Sequence, residues 1–190
     1  MKIGLFFGSF NPVHVAHLII ASHILNETAI EKIWFVVSPQ NPFKEVSNLL
    51  NEYHRLELVR LATEDDLRIK ASDIEFSLPK PSYTSSTLAY LAEKYPDHEF
   101  SLIMGSDSFQ NLNKWKNAEW IIRNYQLYVY LRPGFDIDNS IGAKLTTLNA
   151  PLLQLSATQI RNYLKQGKSV RYMLPDKVLD EIEKGGYYKK

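Results

Sequence analysis

The sequence predicts an α/β fold, a parallel sheet wound in both directions from its middle with helices on both faces. Three observations carry this. Short, mostly apolar runs at Lys2–Phe7, Lys32–Ser38, Glu99–Met104 and Gln126–Leu131 suit strands buried on two faces rather than one. Segments with apolar residues at helical spacing separate them. The two kinds alternate along almost the whole chain, as strand–helix–strand units do.

The elements follow in order. Lys2–Phe7 is a strand ending at Gly8. Val13 to about Thr28 is a helix with Leu18, Ile19 and Leu25 at helical spacing. Lys32–Ser38 is rich in β-branched and aromatic residues and is the second strand. Gln40-Asn41-Pro42 is a loop, and Asn51–Glu64 a helix with Leu56, Val59 and Leu61 set among charges. Leu67–Phe76 alternates as a strand would, and Pro79 and Pro81 mark a loop. Thr84–Tyr95 is a helix with Leu88 and Leu91 facing inward, followed by the strand Glu99–Met104. Ala118–Arg123 is short and helical, and Gln126–Leu131 is a strand closed by Arg132-Pro133-Gly134. Phe135–Gly142 is a polar, mobile loop, Leu145–Leu155 contains strand material, and Ser156–Lys165 and Pro175–Lys184 are closing helices. The order describes a Rossmann-like doubly wound sheet, in which ligands bind beyond the carboxyl ends of the strands.

Composition narrows the function. The 190 residues suit a single domain, 1–190, with no composition break inside it. Apolar residues make up 45% and charged residues 23%, ordinary for a globular protein and unlike a disordered one. Lys and Arg number 22 against 21 Asp and Glu, so the net charge of +1 gives no general pull toward nucleic acid or a membrane surface. The absence of cysteine removes disulfides, thiolate metal sites and a cysteine nucleophile. No run approaches the ~18 apolar residues of a membrane span, and the expected location is the cytoplasm.

The segment Gly8 to His17 (Gly-Ser-Phe-Asn-Pro-Val-His-Val-Ala-His) carries the chemistry. Gly8 permits a sharp turn or close approach to a ligand. Pro12 suits the first turn of a helix, and the N–H groups of that turn form an anion site. His14 and His17, three apart, share one helix face and can donate to phosphate oxygens, adding positive charge if protonated. Zinc fits less well, because no Glu stands between the histidines as it does in the helical zinc motif. Two other phosphate motifs fail. Gly4 and Gly8 lack the dinucleotide spacing, and Gly167-Lys168-Ser169 has Asn162 where a P-loop needs its first glycine.

The segment resembles the signature G-[ST]-F-D-P-x-H-x-G-H of the nucleotidyltransferase superfamily with the HxxH motif. Asn11 stands for the usual Asp and Ala16 for the usual Gly. The second signature of that superfamily, I-S-S-T-x-I-R, is matched by Leu155-Ser156-Ala157-Thr158-Gln159-Ile160-Arg161. Ser156 and Gln159 there also make a capping box. The resemblance implies that Gly8, Ser9, Phe10 and Asn11 line the ATP site and that His14 and His17 hold its α- and β-phosphates. Arg161, with Ser156 and Thr158, would hold the β- and γ-phosphates, an Arg being suited to forked phosphate contacts. His14, His17 and Arg161 would be the catalytic set, and the helices from about residue 156 would close the ATP site.

Four further segments resemble the bacterial nicotinate-nucleotide adenylyltransferases. Ser38–Lys44 is similar to the loop after their second strand, which implies acceptor and phosphate contacts by Asn41 and Lys44. Pro81–Leu88 resembles S-Y-T-x-D-T-L, with Ser86 at the Asp, which implies that the helix start at Tyr83 and Thr84 reads the acceptor carboxylate. Gly105-Ser106-Asp107 followed by Trp115 resembles G-x-D…W, implying Gly105 and Asp107 at the ATP, Asp107 near ribose, and Trp115 on the pyridine ring. Arg132-Pro133-Gly134 matches R-P-G and puts Arg132 in the substrate site. The implied reaction joins ATP and nicotinate mononucleotide to give deamido-NAD and pyrophosphate. Mg²⁺ would arrive on the ATP phosphates, with no metal site built from protein side chains. Partners are these small molecules, not nucleic acid or a membrane, with self-association left open. Two alternatives stand beside this: the same transfer to nicotinamide mononucleotide or phosphopantetheine, and a non-catalytic nucleotide-binding module.

Overall fold

The computed structural model describes residues 1–40, 49–151 and 153–189. Six strands form one sheet: β1 (Lys2–Gly8), β2 (Lys32–Val37), β3 (Ile69–Ser72), β4 (Glu99–Gly105), β5 (Gln126–Tyr130) and β6 (Leu145–Leu148). Their spatial order is β3-β2-β1-β4-β5-β6 and every pairing is parallel. The winding direction therefore reverses between β1 and β4, and a crevice opens there beyond the strand ends. The register runs from Gly8↔Val37 on one side of β1 to Phe6↔Ile103 on the other.

Among the described residues, seven helices connect and cover the strands: α1 (Val15–Glu27), α2 (Glu52–Thr63), α3 (Thr84–Lys94), α4 (Ser106–Gln110), α5 (Ala118–Asn124), α6 (Ala157–Lys165) and α7 (Asp176–Gly185). Alternation along the central strands divides the core. Phe6 and Phe35 pack with Ile24 of α1, Val59 of α2 and Val178 and Ile182 of α7. Leu5, Val36 and Leu102 pack on the opposite face with Leu88 and Leu91 of α3 and Ile121 of α5. The central strands β1, β2 and β4 are buried on both sides, which is why the sequence shows runs there rather than alternation.

Several expectations need correction. The strand expected over Leu67–Phe76 is only Ile69–Ser72, because pairing with β2 ends at Val36↔Ser72. The chain then winds into a 3-10 turn over Ile74–Ser77 that buries Ile74 and Glu75. Pro12 lies in a turn ahead of α1, whose N-cap is His14, and is not in the first helical turn. The segment after Gly105 forms the short helix α4. Strand structure in 145–155 is confined to Leu145–Leu148. Phe135–Gly142 carries its own turn, in which Asn139 accepts from the Ala143 N–H (2.9 Å) and donates to the Ala143 carbonyl (3.0 Å).

Candidate active site

Where β1 ends, the backbone doubles back. Phe10 has φ +45°, an unusual conformation for a bulky residue. Its ring lies flat on Phe35, centroids 5.1 Å apart at 7°, and makes edge contacts with the rings of Phe6 and His17. Gly8 makes this possible, since a Cβ there would stand 2.9 Å from the Phe10 ring. Phe10 thus anchors the turn that presents Asn11 and delivers the chain to α1.

His14 and His17 stack at 3.8 Å between centroids. The His14 backbone N–H donates to His17 Nδ1 (3.2 Å), so the His17 ring proton sits on Nε2. Burial, with a smaller push from the Arg132 charge, lowers the His14 pKa to about 4. His14 is therefore neutral at pH 7, and it brings a hydrogen bond but not the positive charge that protonation would add. Its Nδ1 is buried without a partner among the described residues. The anion site expected from the first-turn N–H groups is also reduced. Val15 N–H donates to the Met173 carbonyl (3.1 Å) and His17 N–H to the His14 carbonyl (3.0 Å).

The second signature caps α6. Ser156 Oγ accepts from the Gln159 N–H (3.2 Å), but the Gln159 side chain donates to the Tyr163 hydroxyl (3.2 Å), so only half of a capping box forms. Arg161 donates to the Asn11 carbonyl (2.7 Å) and to Thr158 Oγ1 (3.2 Å). Asn11 Oδ1 accepts from the Leu50 N–H (3.2 Å) and from the Tyr188 hydroxyl (2.8 Å). One residue of the first signature is thus gripped by the second signature and by the C-terminal turn. The carboxamide oxygen suffices for both bonds that an Asp would accept.

The residues expected on the acceptor side, Tyr83, Thr84, Trp115 and Arg132, face the same crevice. Tyr83 is the N-cap of α3 and Thr84 its first residue, with the Lys116 ammonium 4.6 Å from the Tyr83 ring centre. Trp115 is half-buried and packs on the core beneath α5. Arg132 pairs with Asp107 at 3.3 Å, an exposed contact worth little to stability. Gly105 leaves room for this pair, because a Cβ would lie 2.5 Å from Asp107 Oδ1 and 2.8 Å from Arg132 Cδ and would force those side chains to shift. Ser86 is exposed on α3.

One cavity of about 620 Å³ joins the two sides, within the usual range for small-molecule sites. Its wall includes Gly8, Ser9, Phe10, Asn11, His14 and His17, and opposite them Ser156, Thr158 and Arg161. Gly105, Asp107, Tyr83, Thr84, Trp115 and Arg132 complete it. Asn41 and Lys44 lie outside the described residues. Among the described residues, no three His, Cys, Asp or Glu side chains converge as a metal site would, and no helix is long and apolar enough to cross a membrane.

Three residues of this region escaped the sequence reading. Arg55 of α2 is fully buried and donates to the carbonyls of Ser9, Ser38 (2.9 Å), Pro39 (3.2 Å) and Leu50 (2.8 Å). It ties the ends of β1 and β2 together. Its position four before Val59, on the buried helix face, was the available signal. Glu75 is 1% exposed and accepts from Thr87 Oγ1 (2.9 Å). Tyr188 was hidden in a terminal segment with no pattern of its own.

A model of the cytidylyltransferase-like family matches residues 5–163. A Flavobacterium johnsoniae protein named "probable nicotinate-nucleotide adenylyltransferase" is 50% identical over the full length of both chains. A Cytophaga hutchinsonii protein of the same name is 50% identical over 99% of this chain and 98% of its own. Among solved structures, Plasmodium falciparum nicotinic acid mononucleotide adenylyltransferase complexed with NaAD superposes with a TM-score of 0.83. It is 24% identical and the match covers 98% of this chain and 97% of that one, a likeness of fold.

Proposed function

Since the chain belongs to the nicotinate-nucleotide adenylyltransferases of the cytidylyltransferase-like family, we propose how its own residues carry out the reaction. The enzyme transfers AMP from ATP to nicotinate mononucleotide, giving deamido-NAD and pyrophosphate, a step of NAD biosynthesis. The mononucleotide phosphate is ionised at pH 7 and attacks the α-phosphorus directly, so the protein must align two anions and offset the charge of the transition state.

The observation that carries the assignment of roles is the lock on Asn11, which holds Arg161 and Thr158 across the cavity from the paired imidazoles. His17 Nε2–H and neutral His14 donate to the α- and β-phosphates. Arg161, Thr158 and Ser156 take the β- and γ-phosphates, with Arg161 supplying the fixed cation. Gly8 to Asn11, Gly105 and Asp107 line the adenosine side. The acceptor lies between Trp115, Arg132 and the start of α3, where Tyr83 and Thr84 present a helix N-terminus suited to a carboxylate. Mg²⁺ would be held by the ATP phosphates rather than by protein side chains, and when bound would supply charge neutralisation for the leaving pyrophosphate. Residues 1–190 act as one unit, in the cytoplasm, with α6 and α7 closing the ATP side.

The test is pyrophosphate release with ATP and Mg²⁺, run against nicotinate mononucleotide, nicotinamide mononucleotide and phosphopantetheine. Fast release with the nicotinate acceptor alone is the expected outcome. Release with another acceptor would overturn the acceptor-side roles. ATP binding without release would make the chain a binding module.

A further inference from the structure

Beneath the first turn of α3 lies a buried polar cluster that the phosphate chemistry does not use. At its centre is Glu75, 1% exposed, from the 3-10 turn after β3. Around it stand Ser38 at the end of β2 and Ser82 and Thr87 at the start of α3, each below 9% exposure. Thr87 Oγ1 donates to Glu75 Oε1 (2.9 Å), and Oε2 has no hydrogen-bond partner among the described residues. Ser82 Oγ is buried and unpartnered as well. Ser82 also donates its N–H to the Gln40 carbonyl (3.1 Å), so the turn before α3 is stitched to the loop after β2. Glu75, Ser82, Tyr83 and Thr84 share the wall of the cavity.

We infer that Glu75 is a positioning residue for the acceptor: its hydrogen bonds, not a charge, hold the first turn of α3 at the angle that reads a carboxylate. Three observations support this. First, Ser86 is exposed and cannot brace the helix start from beneath, whereas Thr87, one residue on, reaches Glu75. Second, no cation is bonded to the Glu75 carboxyl among the described residues, and the groups that face it from β2 and α3 are all hydroxyls. Third, burial pushes the Glu75 pKa up, against weaker opposition from Thr87, Ser38 and Ser82. A protonated carboxyl can accept from Thr87 through one oxygen and donate through the other toward Ser82. An ionised one would set a second negative charge under a site meant for an anion. The other charged and titratable side chains on the cavity wall are His14, His17, Tyr83, Asp107, Lys116, Tyr130, Arg132 and Arg161, and none of them is among the groups that act on the Glu75 carboxyl.

The inference rests on the acceptor placement proposed above, and the experiment separates the two. The parent enzyme and the variants Glu75→Ala and Glu75→Gln are assayed for pyrophosphate release with nicotinate and nicotinamide mononucleotides at several pH values. Loss of one buried partner of this kind corresponds to about a 10-fold effect or more. Glu75→Ala should raise KM for the nicotinate acceptor by about that factor while KM for ATP moves less than about twofold. Glu75→Gln, which keeps an acceptor and a donor without charge, should recover most of the loss. The parent KM for the nicotinate acceptor should rise with pH as Glu75 ionises, and that rise should vanish in Glu75→Gln. Glu75→Gln performing no better than Glu75→Ala, or keeping the parent pH profile, would overturn the inference. So would a parallel rise in KM for ATP. If Glu75→Ala does not fold, the pH profiles of the parent and Glu75→Gln decide alone. A parent that releases no pyrophosphate with the nicotinate acceptor would instead overturn the acceptor placement itself.

Discussion

At the end of the cavity proposed to take the phosphates, side chains from two helix starts line the space: His14 and His17 from the start of α1, Thr158 and Arg161 from α6. At the proposed acceptor end, the start of α3 presents backbone groups above buried polar side chains, which we propose hold that backbone in place. The first arrangement concentrates chemistry in residues with distinctive functional groups at fixed spacing. The second distributes it over Ser38, Glu75, Ser82 and Thr87, none distinctive by itself. A substitution at the phosphate end should therefore act on rate, and one in the buried polar scaffold on stability or acceptor affinity.

The largest break in that comparison should come from His17→Ala. Removing one aligned donor from a charge-stabilising site costs ~100–1,000-fold in rate. The expected outcome is a fall of that order in kcat for pyrophosphate release, with the thermal midpoint close to that of the parent. Near-parental turnover would dismiss the imidazole as a catalytic group.

The same contrast explains what could be read from the sequence. Gly8 to His17 and Ser156 to Arg161 are contiguous, so each could be matched to a family signature, and it was that resemblance that implied a phosphate site. The parallel sheet was equally legible, because strands buried on both faces must be apolar at nearly every position. The limit of β3 was not legible. Alternation from Leu67 to Phe76 suits a strand, and only the end of pairing at Ser72 reveals the turn that buries Glu75. The neutrality of His14 depends on burial that folding creates. Arg55 looks like one more charge on an amphipathic helix until the carbonyls of two strand ends converge on it.

Arg55 sharpens the comparison from the scaffold side. Its guanidinium is fully buried, and burial lowers its pKa against weaker opposition from Tyr188 and Glu52. Four backbone carbonyls satisfy it. Arg55→Met keeps much of the side-chain volume and removes every one of those donors. With hydrogen bonds to a charged group contributing ~1.5–3 kcal/mol each and only partly additive, a loss of about 3 kcal/mol is expected. For a chain of this size that lowers the thermal midpoint by roughly 6–12 °C, measurable by calorimetry. A midpoint within about 2 °C of the parent would show that the strand ends hold without it.

Tyr188 tests whether the two arrangements overlap, because this scaffold residue touches the phosphate end. Burial pushes its phenol well above the ordinary range, so the hydroxyl stays protonated and donates to Asn11 Oδ1 at 2.8 Å. Asn11 in turn offers its carbonyl to Arg161 at 2.7 Å. Tyr188→Phe removes a single neutral hydrogen bond, about 1 kcal/mol, and leaves the ring in place. If Asn11 transmits the loss to Arg161, KM for ATP should rise by up to about fivefold, while KM for the nicotinate acceptor stays put. Were the two constants to rise together, the C-terminal turn would be bracing the whole crevice. With neither moving and the midpoint falling by about 2–4 °C, Tyr188 would belong to the scaffold alone, and the division between rate-setting and stability-setting residues would run between Asn11 and Tyr188.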